Sequence, residues 1–265
     1  MSGIKIVFGG AGLNNGRPLA ETATLKRAYD VLLAAGVKTI DTANLYGDSE
    51  TILSGTGAPS RFTLDTKTRG GFNKENGASR DNILKESQNS KDKLGPVDIF
   101  YIHAPDPNTP IEETLSAINE VHKTAFFKRF GLSNYKAEDV EKVYNHCKEN
   151  EYPLPQVYQG NYSAVARKQE ELLFPTLRKL GIAFYAYSPL AGGFLSKSKE
   201  DIEKGSGRFN STESGASMYK KLVRRFLITH LCLNEHAALT ILCSTASQHY
   251  SMHWSNGRAL RKMKE

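Results

Sequence analysis

VDIFYIHAPDPNTPIEETLSAINE, residues 97–120, contains one complete building block of the fold. Its β-branched and aromatic opening, VDIFYIH, predicts a strand over 97–103 that ends in a polar side chain, His103. Thr109, Pro110 and Glu112 then read as N-cap, N1 and N3, a capping box with a pre-set first φ. They predict a helix over 111–124.

Working outward, the same strand-then-helix unit repeats. Further strands are predicted at 4–8 (IKIVF), 38–42 (KTIDT), 61–66 (RFTLDT), 129–133 (RFGLS), 155–159 (PQVYQ) and 182–187 (IAFYAY). Helices are predicted at 21–35, 79–94, 136–149 and 167–180, with a shorter one from Asp48. Gly36 and Gly181 stand where a left-handed C′ residue closes a helix, and Gly95-Pro96 closes the helix ending at Leu94. Strands alternating with helices pair in parallel through right-handed crossovers. Seven such strands fit an open doubly wound sheet or a barrel. The strand ends choose between them: Asp41, Lys67, His103, Ser133 with Asn134, Gln159 and Tyr187 can converge on one mouth only if the sheet closes. The reading is an α/β fold, a (β/α)8 TIM barrel, incomplete around the seventh helix and the eighth strand.

Bulk properties agree. A single barrel needs about 250 residues, and the chain has 265, 39% of them hydrophobic and 24% charged. No run approaches the roughly 18 apolar residues of a membrane span, and the first residues lack a signal peptide's basic and apolar segments. Cys147, Cys232 and Cys243 make no disulfide framework, so a cytosolic, reduced setting is expected. The net charge of +7 gathers at 220–265, where eight Lys or Arg face two Asp or Glu. A solvated helical face explains that better than nucleic acid or a membrane surface.

Asp41, Tyr46, Lys67 and His103 form a plausible acid–base group. A free phenol titrates near about 10 and donates poorly at neutral pH. A neighbouring ammonium such as Lys67 lowers that value, Asp41 can hold the ammonium, and His103 can orient a carbonyl oxygen. A nicotinamide would supply hydride.

The segments DTANLYG (41–47), DTK (65–67), FYIHAPD (100–106), FGLSNY (130–135), YQGNY (158–162) and AYSPLAGG (186–193) resemble the signatures of the aldo-keto reductases. FYIHAPD and GRF (207–209) resemble its aflatoxin-aldehyde-reductase-like branch, and the likeness covers residue 4 to about 222 in order. The resemblance implies NADPH-dependent reduction of an aldehyde or ketone to an alcohol, as detoxification or as a tailoring step on a secondary metabolite. It implies Tyr46 as proton donor, Lys67 as the lysine that lowers its pKa, Asp41 as the acid beside it and a cofactor contact, and His103 as the residue that orients substrate. Ser133, Asn134 and Gln159 match residues that bind the nicotinamide carboxamide, and Tyr187 the aromatic that stacks on its ring. Ser188, Pro189, Leu190, Ala191, Gly192, Gly193, Phe194 and Leu195 match the loop around the pyrophosphate, and Arg208 an arginine on the cofactor's phosphates. The expected partner is a small carbonyl substrate, not nucleic acid or a membrane. A homodimer is left open, and no metal is expected.

Residues 1–222 carry the barrel, and 223–265 read as a divergent C-terminal segment that could supply the last strand and helix. That segment holds the one Trp, two of the three Cys and four of the seven His. Its LTILC run (239–243) is a strand candidate, and Ser244, Thr245, Ser247 and Gln248 are weak stand-ins for a cofactor clamp. It reads either as a shortened clamp or as the product of a shifted frame. An impaired clamp would make the chain a catalytically weak or inactive binding protein of the same family. Two other readings are weaker. Tyr144 and Lys148, with Ser133 upstream, mimic a short-chain dehydrogenase, but Asn15 replaces the third glycine of the dinucleotide loop. Cys232, His236, His249 and His253 hint at metal without a C-x-x-C pair.

Overall fold

In the computed structural model of the chain, the described residues are 4–75, 77–198, 200–201 and 204, with the backbone of Leu239–Ile241 and Tyr250–Met252. The chain divides into two compact units, Met1–Gln159 with Leu172–Tyr185, and Gly160–Glu171 with Ala186–Glu265.

Seven strands form one sheet: β1 (Phe8–Gly9), β2 (Thr39–Asp41), β3 (Thr63–Thr68), β4 (Val97–Ile102), β5 (Phe127–Ser133), β6 (Pro155–Asn161) and β7 (Ala183–Tyr187). Their order in the sheet is their order in the sequence, and the pairings from β1 to β6 are parallel. A doubly wound sheet reverses its strand order at a switch point. Here each strand adds to the same growing edge, which is the winding of a (β/α)8 barrel. The expected strand near 239–243 forms, as β8 (Leu239–Ile241), but it pairs antiparallel with β9 (Tyr250–Met252) in a separate two-stranded sheet. Among the described residues no eighth strand joins the seven.

Helices α1 (Thr22–Ala34), α2 (Ser49–Gly55), α3 (Arg80–Leu94), α4 (Ile111–Lys123) and α5 (Ala137–Glu149) fall where periodicity predicts them. Gly36, at φ 78°, closes α1 as expected: its N–H reaches Leu33 and that of Val37 reaches Leu32, a Schellman closure. Apolar residues of these helices, among them Leu25, Leu53, Ile83, Leu115, Ile118 and Val140, are buried to within 1% exposure. Each contributes about 1.5–3 kcal/mol through removal from water. A second apolar group of Ile99, Tyr101 and Val157, with Tyr185 packed against it, lies among the strands.

Three local expectations are corrected. Strand 4–8 shrinks to Phe8–Gly9, and Ile4 and Ile6 stay exposed. The helix expected over 167–180 breaks at Leu173 (φ −129°) into α6 (Gln169–Leu172) and α7 (Phe174–Leu180). Pro175 lies in the first turn of α7, and without an N–H it cannot continue the earlier ladder. Thr109 does not cap α4: Pro110 is the N-cap residue, and the Thr109 hydroxyl donates instead to Asp106 at 2.6 Å. The Asp106 carboxylate also collects the backbone N–H groups of Ala78 and Asn108, so it outcompetes the helix end for that hydroxyl. These three donors hold the Asp106 carboxyl below its ordinary pKa against a desolvation that pushes it up.

Candidate active site

Alternation along β3 sends Asp65 and Lys67 to one face and Thr66 and Thr68 to the other. On the first face, registers set Asp65 beside Asp41 of β2 and Lys67 beside Tyr101 of β4. Lys67 is fully buried. Its Nζ donates to both Asp41 carboxylate oxygens at 2.6 Å and to the Thr42 carbonyl at 2.8 Å. Three ammonium donors thus meet three acceptors, which is what a buried charge requires.

Tyr46 lies on the loop that leaves β2. Backbone bonds from Thr42 to Asp65 and from Asn44 to Lys67 stitch that loop to β3. The Lys67 Nζ sits 5.1 Å from the centre of the Tyr46 ring and 5.4 Å from that of Tyr101. The positive charge therefore stands over the Tyr46 ring.

His103 follows β4, its N–H held by the Thr68 carbonyl at 3.2 Å. Its ring meets Tyr46 edge-on (centroids 5.6 Å, 81°) and Phe72 edge-on (5.2 Å, 87°). Burial, and then the Lys67 charge, push its pKa down to about 3, so the imidazole is neutral at physiological pH. Its buried Nδ1 has no hydrogen-bond partner among the described residues.

Of the residues expected to bind carboxamide, Gln159 donates from Nε2 to Asp41 at 3.0 Å. Asn134 takes a left-handed backbone (φ 63°) and donates from Nδ2 to the His103 carbonyl at 2.8 Å and to Ser133 Oγ at 3.0 Å. Asp41, Tyr46, Lys67, His103, Ser133, Asn134 and Gln159 thus form one connected group within the first unit.

Tyr187 and Ser188–Leu195 belong to the second unit. There the Tyr187 carbonyl accepts from the Tyr162 N–H at 3.3 Å. Ser188, Ala191, Gly192 and Gly193 have φ of 55°, 49°, 70° and 96°, so half of the loop's residues lie in the left-handed region. Pro189, Leu190, Phe194 and Leu195 complete it, with the N–H of Leu195 returning to the Leu190 carbonyl. Arg208 lies outside the described residues, as do Cys232, His236, His249 and His253.

Sequence reasoning missed Phe72, Tyr101 and Asp65. Period-two alternation through β4 was the available signal for Tyr101, since it aligns Ile99, Tyr101 and His103 on one face. Gly131, on β5 opposite Tyr101, makes room for the ring: a Cβ there would lie 2.3 Å from it. The opposite face of β3 was missed too. Thr66 and Ser90 donate to Glu50 Oε1 at 2.6 and 2.7 Å, and Asn44 donates to Ser90 at 2.7 Å. Thr68 and the Arg69 N–H donate to Glu86.

The dehydrogenase-like pair finds no support. Tyr144 and Lys148 ride on α5, and the sheet lacks the reversal that such a fold needs. Among the described residues no cluster of His, Cys, Asp or Glu could hold a metal, and no helix is long and apolar enough to cross a membrane.

A sequence model described as the Aldo/keto reductase family matches residues 5–251. The oxidoreductase sirO of Leptosphaeria maculans is 38% identical over 200 residues, covering 74% of this chain and 60% of the relative. The human aflatoxin B1 aldehyde reductase member 4 is 42% identical over 205 residues, 72% of this chain and 60% of its own length. The human aldo-keto reductase family 7 member A3 is 41% identical over 212 residues, 75% and 62%. The chain thus spans about 60% of the length of these relatives.

Proposed function

Since the chain belongs to the aldo/keto reductase family, we propose that it reduces an aldehyde or ketone to an alcohol with NADPH, and that Tyr46 is the proton donor. The observation that carries this reading is the fully buried Lys67 ammonium, held by Asp41 at 2.6 Å and standing 5.1 Å from the Tyr46 ring.

Each unit, taken by itself, offers groups that fit part of a nicotinamide cofactor. Ser133, Asn134 and Gln159 offer hydroxyl and amide groups suited to a carboxamide, and two of them are anchored to the acid–base group itself. The left-handed backbone at Ser188 and Ala191–Gly193 suits close approach of a phosphate. When bound, the cofactor supplies the hydride.

The chain's own groups handle the proton. Lys67 favours the phenolate and so makes Tyr46 a stronger acid than a free phenol. Tyr46 gives its proton to the carbonyl oxygen as charge develops there, an effect of about 10² to 10⁴ in rate. His103, neutral because it is buried beside Lys67, donates an N–H to the same oxygen and fixes its direction without competing as an acid. Asp41 keeps Lys67 in place and shares that task with the Thr42 carbonyl.

The names of the human relatives support a reactive aldehyde as substrate. Tailoring of a polyketide- or terpenoid-type metabolite is the competing assignment, and neighbouring genes discriminate the two. The test is NADPH oxidation, followed by absorbance, with an aromatic aldehyde and with Tyr46→Phe alongside. Wild type turns over and the variant falls by about 10²-fold or more. Equal rates would remove Tyr46 from its role. NADPH binding by fluorescence titration without turnover would select a binding protein instead.

A further inference from the structure

Asp65 is a fully buried carboxyl that the proposed proton transfer does not use. Its Oδ1 accepts the Ile99 N–H at 3.2 Å, and its Oδ2 has no partner among the described residues. It is the register partner of Asp41 and lies two residues before Lys67 on the same face. Tyr101, the register partner of Lys67, is equally buried, and its hydroxyl is likewise unpartnered among the described residues. All three Lys67 donors go to Asp41 and Thr42, so none remains for Asp65.

Asp65 lies close enough to Asp41 for the two carboxyls to repel, and the one ammonium bound there belongs to Asp41, so ionising both would leave a net negative charge in a dry interior. The less costly state keeps a proton on the carboxyl that lacks a charged partner. We propose that Asp65 is a positioning residue that works as a neutral acid, leaving Asp41 as the sole carboxylate facing Lys67. This rests on the reading of Lys67 as the group that acidifies Tyr46. A neutral Asp65 leaves the field of the ammonium undiminished at the phenol, and an ionised Asp65 offsets it.

The groups around Asp65 support this state. Burial, then Asp41 of β2 and Asp98 of β4, raise its pKa to about 7, against the opposing Lys5 and the Ile99 N–H. On its own strand, Lys67 is already occupied by Asp41. Burial, then Asp65, Asp41 and Tyr185 of β7, make Tyr101 resist ionisation strongly, against the opposing Arg129 of β5. No phenolate therefore competes for the role.

The sign of the pH effect follows. With its pKa raised above the unfolded value, Asp65 contributes stability that is fully present below about pH 4 and is lost as pH rises through about 7. Denaturant unfolding of wild type and Asp65→Asn across that window reads it directly. The difference between the two curves should fall with a slope of about one proton, and parallel curves would overturn the proposal.

A second arm follows ionisation of Tyr46 by difference absorbance, each protein being compared with its own Tyr46→Phe partner. Above about pH 7 Asp65 itself ionises and offsets the ammonium, so the Asp65→Asn protein, which stays neutral there, should ionise Tyr46 at lower pH than wild type, and identical midpoints would overturn the link to Lys67. Asp65→Ser, which also removes the charge, repeats both arms if the amide disturbs packing. Neither arm needs cofactor or substrate. Failure of the reductase reading appears separately, as absent NADPH oxidation by the wild type.

Discussion

Along β3, Thr66 and Thr68 turn toward the helices and donate to Glu50 and Glu86, whereas Asp65 and Lys67 turn the other way toward Asp41, Tyr101 and the Tyr46 loop. Both faces bury carboxyl groups. On the helix side, Glu50 and Glu86 are surrounded by hydroxyl and N–H donors. On the other side, Asp65 Oδ2, the Tyr101 hydroxyl and His103 Nδ1 have no hydrogen-bond partner among the described residues. Most buried polar atoms find partners, so three unpartnered ones on one side of β3 mark that side as the candidate for chemistry. In the proposed reaction the helix side is scaffold and the other side supplies the reacting groups.

The contrast can be broken most forcefully at Lys67. Lys67→Met strands a buried Asp41 carboxylate and should cost about 3–5 kcal/mol of stability. It should also cut turnover about 100-fold or more. Denaturant midpoints and NADPH oxidation measure the two, and activity within tenfold of wild type would detach Lys67 from Tyr46. Next comes acid. The folded His103 titrates near about 3 and an unfolded histidine near 6.5, so the unfolded chain binds more protons between those values. Stability present above pH 6.5 is therefore lost as pH falls toward 3. A thermal series for His103→Gln should be flatter over that range, and equal steepness would count against a buried neutral imidazole.

The scaffold side predicts a different signature. Glu50→Ala leaves the Thr66 and Ser90 hydroxyls short of their acceptor, at about 1–3 kcal/mol each. Turnover should stay within tenfold, and a loss as deep as that of Lys67→Met would erase the distinction between the faces. Thr68→Val should cost least, about 1 kcal/mol, because Glu86 keeps the Arg69 N–H. Unfolding curves at one pH resolve it.

Much of the architecture was legible because it rests on local signals. Gly36 and Gly181 closed their helices at the expected positions, and polar residues at strand ends pointed to convergence. Competition between local partners was not legible: Thr109 is a good cap in isolation, but Asp106 takes its hydroxyl. The break at Leu173 could have been read from Pro175. At the site, Asp41, Tyr46, Lys67 and His103 were visible as chemistry-bearing residue types after strands. Asp65 was not, because a parallel strand buried on both faces gives no polar-apolar alternation to assign a side, and Tyr101 was reachable only through its period-two spacing from His103. Phe72 was hidden for another reason: only the folded loop brings its ring to His103.

The bare backbone at Gly131 has a consequence for how this sequence can drift. The phenol ring of Tyr101 fills the room that any side chain at 131 would require, so position 131 is free to change only after position 101 has. A methyl group at 131 should be tolerated once Tyr101 has become smaller, and should be damaging while it has not. Swapping size between neighbouring strands in this way would move the aromatic wall away from the lysine without altering a single charged residue.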